Sequence, residues 1–175
     1  MKKTKLLLHA CCAPCASAVL ENLAGEYALT LLYFNPNIQP AGEYQKRLGE
    51  FQKLKNKFTF ELLAPDYAPQ PWLNELKDWA AEPEGGARCA RCFVFRLDYA
   101  AALARDYAGF ATTLSISPHK NPAQIEQAGQ TAARNYGAVF LDFNFQKLYP
   151  RSLELSRELG LYRQKYCGCL YARNN

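Results

Sequence analysis

Five short apolar runs recur along the chain, and amphipathic stretches lie between them. The runs are Lys5–His9 (KLLLH), Tyr27–Phe34 (YALTLLYF), Phe58–Leu63 (FTFELL), Gly109–Ser115 (GFATTLS) and Ala138–Phe143 (AVFLDF). Each has the length of a strand, and the first reads as a strand buried on both faces. Between them the spacing of apolar residues predicts helices. One runs over residues 12–24, with Val19, Leu20 and Leu23 on one face. Another covers 43–57, with Leu48, Phe51 and Leu54 inward. Others follow over 72–81, 92–107 and 122–136, the last opening on Pro122, a residue permitted in a first helical turn. A short helix is expected near 152–159. Strands alternating with helices predict an α/β fold, a parallel sheet of about five strands with helices on both faces.

A chain of 175 residues fits one domain, 1–175, with a polar and aromatic tail from about residue 144 folding back over the sheet's rim. The most apolar N-terminal stretch, Leu6–Cys12, is too short to span a bilayer and leads into cysteines and a proline. The expectation is a cytoplasmic protein without a membrane partner.

Parallel sheets bind ligands outside the carboxyl ends of their strands. The segment HACCAPC, residues 9–15, falls at such an end and holds three of the chain's seven cysteines. The others stand in RCARC, as Cys89 and Cys92, and in YCGC, as Cys167 and Cys169. An odd number in a chain this long argues against a disulfide framework. Cys15 would sit in the first turn of a helix, where free N–H groups and the dipole favour thiolates, the form that binds metals. The CxxC spacing turns both sulfurs to one side. Joined to Cys11, Cys12 and Cys15, it makes four or five thiolates, enough for an iron–sulfur cluster or a structural zinc. Two cysteines separated only by Gly168 can close a small, strained disulfide that takes up and gives up two electrons; two further metal ligands are the other reading.

The same rim carries two unusual loops. NPN offers Asn35 and Asn37, and SPHKNP offers His119. Tyr44 and Arg47 lie one helical turn apart and can face it. In the tail, LYRQKYCGC places Arg163 among tyrosines, a mixture that suits phosphate contact and base stacking. The formal charge of +5, from 21 basic against 16 acidic residues, permits a polyanionic partner without demanding one.

Together LLHACCAPC, YFNPNIQPAGEYQKR, RCARCFVFRL, TTLSISPHKN and GLYRQKYCGC resemble the QueH-type epoxyqueuosine reductases, in the family's order and over nearly the whole chain. The resemblance implies a cytoplasmic bacterial oxidoreductase for the last step of queuosine biosynthesis. It would remove the epoxide oxygen of epoxyqueuosine at the wobble position of a tRNA, using an external electron donor. It implies that Cys11, Cys12, Cys89 and Cys92 bind a 4Fe-4S cluster, and that Cys167 and Cys169 form a redox-active disulfide. Cys15 matches a position that would hold an additional mononuclear iron. The implied fold is that of the nucleotide-binding α-hydrolases, which is Rossmann-like. The cysteine turn replaces their SGGxDS-type phosphate loop, so ATP use is not expected. Two rival readings are a zinc-stabilised nucleic-acid-binding module without catalysis and a cluster-free thiol redox or sulfur-transfer enzyme acting on tRNA.

Overall fold

Leu6, Leu7 and Leu8 are fully buried, and they divide the molecule into layers. They belong to β1 (Thr4–His9). Successive strand side chains point to opposite faces. Leu6 and Leu8 therefore enter one core, with Val19 and Leu20, while Leu7 enters another, with Leu97 and Phe110. The computed structural model describes residues 3–172. The two residues before these and the three after them, though part of the expected domain and tail, lie outside the described residues.

The sheet has four strands in the order β3-β2-β1-β4. β2 is Tyr27–Leu32, β3 Glu61–Leu63 and β4 Phe110–Thr112. All pairings are parallel, with His9 opposite Leu32 on one side and Thr112 on the other. The chain leaves β1 toward β2, and β4 is added on the opposite side. The carboxyl ends of β1 and β4 thus flank the point where strand order reverses, the usual ligand position in such sheets.

The expected fifth strand, residues 138–143, is reduced to one bridge between Phe110 and Phe140. β4 is three residues long and passes at once into a 3-10 turn, Thr113–Ile116, leaving no ladder to extend. The segment is held instead by the Phe110 N–H to Val139 O bond, 2.8 Å, and the Ser115 hydroxyl to Phe143 O bond, 2.8 Å.

α1 (Ala13–Leu23) begins directly at the rim, with Cys12 extended and Pro14 in the first turn. It packs on α7 (Tyr149–Glu158). The helix expected over 43–57 divides into α2 (Ala41–Gly49) and α3 (Phe51–Lys55). The break falls at Glu50, whose carboxylate accepts the Tyr162 N–H at 2.7 Å. α4 is Gln70–Leu76. α5 (Ala87–Leu103) begins five residues before the expected Cys92, so both cysteines of the CxxC lie in its first two turns. α6 (Pro122–Tyr136) has the expected bounds, with Asn121 capping it through the Ala123 N–H, 3.0 Å. α5 packs along α6 on the face opposite α1 and α7. Among the described residues, no helix is long and apolar enough to cross a membrane.

Candidate active site

The turn after β1 sets the first group of sulfurs. The Cys11 N–H donates to Thr113 Oγ1 at 3.2 Å, and that hydroxyl donates to Cys11 Sγ at 3.5 Å. Thr113 follows β4, so these bonds span the strand-order reversal. Extended backbone at Cys12 followed by helix at Ala13 brings Cys11, Cys12 and Cys15 to one side. Their sulfurs lie within 4.8 Å of one another, with Cys11 and Cys12 at 3.8 Å. Hydrogen bonding with Cys12 and Cys15 holds the Cys11 thiol well below its ordinary value, while the same contacts raise Cys12 to about 12 and Cys15 well above its usual range. The negative charge of the triad is thus favoured at Cys11, with the Cys12 and Cys15 thiols beside it protonated.

Cys89 and Cys92, one helical turn apart on α5, form the second group. The Gly85 N–H donates to Cys89 Sγ at 3.2 Å, and the indole N–H of fully buried Trp72 donates to Cys92 Sγ at 3.4 Å. Burial raises both thiols. Cys92 packs in one apolar cluster with Trp72 and Cys169, against which Cys167 also lies. The Cys169 N–H donates to Cys167 Sγ at 3.4 Å. A side-chain hydrogen bond with Cys169, aided by that N–H, lowers Cys167 to about 6 and raises Cys169 far above the ordinary range. All seven cysteines are free thiols.

A cavity of about 710 Å³ joins the groups. It is lined by Cys11 and Cys15, by Cys89 and Cys92, and by Cys167 and Cys169; Cys12 lies behind, against Cys11. The cavity also carries buried positive charge. Arg88 and Arg96 are 1% and 3% exposed, and among the described residues neither pairs with a carboxylate. Arg88 donates to the Ala80 carbonyl at 2.9 Å and to the Glu82 carbonyl, leaving Nε and Nη2 without partners. Arg96 donates to Asn35 Oδ1. An uncompensated buried charge costs several kcal/mol, so these cations demand a negative occupant or thiolates beside them. Lys120 faces the same space. Burial works against its charge, but Cys11, Cys15 and Cys167 together outweigh that and hold the ammonium above its usual range.

A family model described as Epoxyqueuosine reductase QueH matches residues 6–175. The chain belongs to the epoxyqueuosine reductase QueH family. It is similar to the Epoxyqueuosine reductase QueH of Streptococcus pyogenes serotype M1, at 38% identity over 182 residues, covering 97% of this chain and 71% of that one. The Thermotoga maritima protein of that name is 38% identical over 174 residues, covering 95% and 89%. The one from Dehalococcoides mccartyi is 36% identical over 172 residues, covering 96% and 92%. The QueH resemblance read from the five motifs is therefore borne out.

Within this QueH chain the other expected residues separate into two sets. Asn37, Arg47, His119 and Arg163 line the cavity. His119 and Arg163 are exposed, and the Asn37 Oδ1 is buried without a partner. Asn35 and Tyr44 serve the fold. Asn35 donates to the Ala10 carbonyl at 3.0 Å and accepts from Arg96, fixing the backbone just before Cys11. The Tyr44 ring packs between Tyr33 and Tyr67, with its hydroxyl on Pro65 O at 3.4 Å. Arg47 does more than line the space: it donates to the carbonyls of Tyr166 and Cys167 at 3.1 and 3.0 Å.

Several site residues escaped the sequence reading. Gln164 donates to Cys12 Sγ at 3.0 Å; its position in YRQKYCGC was a signal, since it adjoins a cysteine pair. Thr113 and Lys120 stand in TTLSISPHKN and Arg96 in RCARCFVFRL, but only as neighbours of residues singled out there, and Trp72 carried no signal. His9 lies beneath the cysteine turn, between Thr112 Oγ1 at 2.9 Å and the Phe34 carbonyl at 3.1 Å. Burial, then the nearby Arg96, lowers it to about 3, so it is neutral.

Proposed function

We propose that this chain reduces epoxyqueuosine to queuosine at the wobble position of tRNA, the last step of queuosine biosynthesis. The observation that carries the reading is the cavity at the strand-order reversal. Six cysteines line it and a seventh lies behind them, in a chain that belongs to the QueH family. The donor set fits a thiophilic metal group, because soft thiolates select iron–sulfur clusters and related metals. Cys11, Cys12, Cys89 and Cys92 would hold a 4Fe-4S cluster, and Cys15 an additional iron. When bound, these groups supply electrons one at a time and a Lewis acid for an epoxide oxygen.

The chain's own residues do the rest. Removing the epoxide oxygen as water consumes two electrons and two protons. Oxidation of the Cys167 and Cys169 thiols to a disulfide releases two of each, and an external electron donor then returns the pair to the dithiol. Lys120 Nζ presents a proton and a positive charge toward the space between the sulfur groups, where negative oxygen develops. Arg163 and Lys165, both exposed at the cavity, suit the phosphates of a tRNA anticodon loop. Free thiols in this number suit a reducing, cytoplasmic setting.

The test is turnover of epoxyqueuosine-containing tRNA by protein purified and assayed without oxygen, with the nucleosides then analysed by mass spectrometry. Loss of one oxygen from the modified nucleoside, dependent on bound iron and sulfide, is expected. A colourless, zinc-loaded and inactive protein would instead indicate a zinc-stabilised nucleic-acid-binding module. Activity that survives air and chelation would indicate a cluster-free thiol enzyme.

A further inference from the structure

Arg47 sits on α2, 120 residues before the CGC turn, and is 2% exposed. Its guanidinium makes two hydrogen bonds to the segment of the CGC turn and one to its own helix. Nη1 and Nη2 donate to the carbonyls of Cys167 and Tyr166 at 3.0 and 3.1 Å. Nε donates to Glu43 at 2.7 Å, and the group lies 5.1 Å from the Tyr166 ring centroid. Glu43 in turn accepts the Tyr162 hydroxyl at 3.2 Å. From the other side the Gln39 N–H donates to Gly168 O at 2.9 Å. Gly168 has φ +106°, open to glycine and strained for other residues. A Cβ there would stand 2.7 Å from Ile38 and 3.1 Å from Arg47 Nη1. The turn is thus seated closely on the clamp.

We propose that Arg47 is the positioning residue of the Cys167–Gly168–Cys169 turn, holding the two sulfurs together through the carbonyls of residues 166 and 167. The proposal rests on the reading of this pair as a redox dithiol. A fork that bridges two carbonyls confines the backbone between them more than a single donor does. Confinement raises the effective concentration of one sulfur at the other. It therefore favours the reaction in which each thiol loses one proton and one electron and the S–S bond forms. The reverse reaction takes its two electrons from an external thiol such as glutathione.

The experiment equilibrates the full-length protein, without oxygen, in glutathione buffers of graded thiol-to-disulfide ratio, then alkylates and digests it with trypsin. Cleavage after Lys165 and Arg173 yields YCGCLYAR, which carries Cys167 and Cys169 and no other cysteine. Its disulfide fraction reports the pair alone. Arg47→Met, which keeps the stem and loses the fork, is expected to shift the equilibrium about tenfold toward the dithiol, the scale of a lost charge-assisted hydrogen bond. Arg47→Lys is expected to recover part of the shift. Gly168→Ala, which forces the turn away while leaving Arg47 intact, is expected to move it in the same direction. Gly129→Ala crowds Phe140 in the core containing Leu97 and Phe110; it should lower thermal stability without moving the equilibrium. An Arg47→Met equilibrium that is unchanged, moves toward the disulfide, or is matched by Gly129→Ala overturns the proposal. A wild-type pair that forms no disulfide at any ratio overturns the dithiol reading and this one with it.

Discussion

The side-chain amide of Gln164 donates to the sulfur of Cys12 at 3.0 Å, across 152 residues of sequence. It ties the segment after α7 to the turn after β1. Cys12 is 1% exposed, so its sulfur has few other donors to satisfy it. Gln164→Leu removes the donor and keeps the bulk. In the metal-loaded protein Cys12 would be a ligand thiolate, and a hydrogen bond to a charged acceptor contributes about 1.5–3 kcal/mol. Single-turnover reduction of the tRNA is therefore expected to slow about ten- to a hundredfold while iron content stays near normal. Gln164→Glu places a carboxylate against a thiolate, and iron content should fall as well. Iron assay beside single-turnover kinetics checks both.

The seven sulfurs are expected to separate by role when each is removed. Cys11, Cys12, Cys89 and Cys92 are proposed to hold the cluster, so replacement of any one by Ala should lower iron and acid-labile sulfide together, since each thiolate supplies both charge and a bond. Cys15 lies within 4.8 Å of Cys11 and Cys12 but is proposed to hold the additional iron. Cys15→Ala should lower iron and spare sulfide. Iron-to-sulfide ratios from anaerobically purified variants decide it; a proportional loss of both in Cys15→Ala would make Cys15 a cluster ligand.

Gly129 of α6 accommodates the ring of Phe140. An added Cβ would stand 2.4 Å from Phe140 Cε1 and Cζ. Phe140 is nearly buried and packs on Phe110, with ring centroids 5.2 Å apart. Gly129→Ala gains helix propensity of about 1 kcal/mol but overpacks at a cost of about 1–3 kcal/mol. A net loss of stability is expected, read from denaturant midpoints.

That packing also shows what the sequence could reveal. AVFLDF reads as a strand from its composition, yet only Phe140 bridges, because pairing depends on how long the neighbouring β4 continues. By contrast, Lys5–His9 is legible, since a run buried on both faces has few other places to go. The cysteine turn was legible because strand-end position and thiol chemistry coincide in adjacent residues. Arg96 and Trp72 were not: each reaches a sulfur or its loop only through tertiary packing, and neither residue type is unusual on a helix. Arg47 was noticed for its place, not for its partner: it and Tyr44 are the buried residues of α2, and Arg47 lines the cavity. Its one-turn spacing from Tyr44 suggested a shared face; what the spacing could not show is that Tyr44 packs among aromatic rings while Arg47 donates to the carbonyls of Tyr166 and Cys167.

Cys167 and Cys169 should differ sharply in reactivity with pH. Hydrogen bonding with Cys169 lowers Cys167 to about 6, while Cys169 is raised far above the usual range. A thiol reacts as its thiolate. In the reduced, metal-free protein, alkylation of Cys167 should rise with pH through about 6 and level off near neutrality, while Cys169 stays unreactive there. Cys169→Ala removes the side-chain partner and keeps the backbone N–H, so the Cys167 midpoint should move upward. Alkylation rates at graded pH, read on the tryptic peptide of residues 166–173, test both statements.

Binding of the tRNA should weaken as salt rises. The net charge is only +5, so the global field is mild, and the contact must come from local cations. Arg163 and Lys165 are exposed beside the cavity, two residues apart on the segment whose neighbours, Tyr162 and Tyr166, are fixed to α2 and to the NPNIQP loop. The backbone that carries them is thus fixed beside the opening. Each phosphate contact contributes nearly one to the slope of log affinity against log salt. Arg163→Ala and Lys165→Ala should each reduce that slope by about one and weaken binding similarly across tRNA sequences. Iron content should not change, because neither residue touches a sulfur group. Titration of the anticodon stem-loop at several ionic strengths gives the slopes. A wild-type affinity indifferent to salt, or slopes untouched by both substitutions, would place the tRNA on another face of the protein.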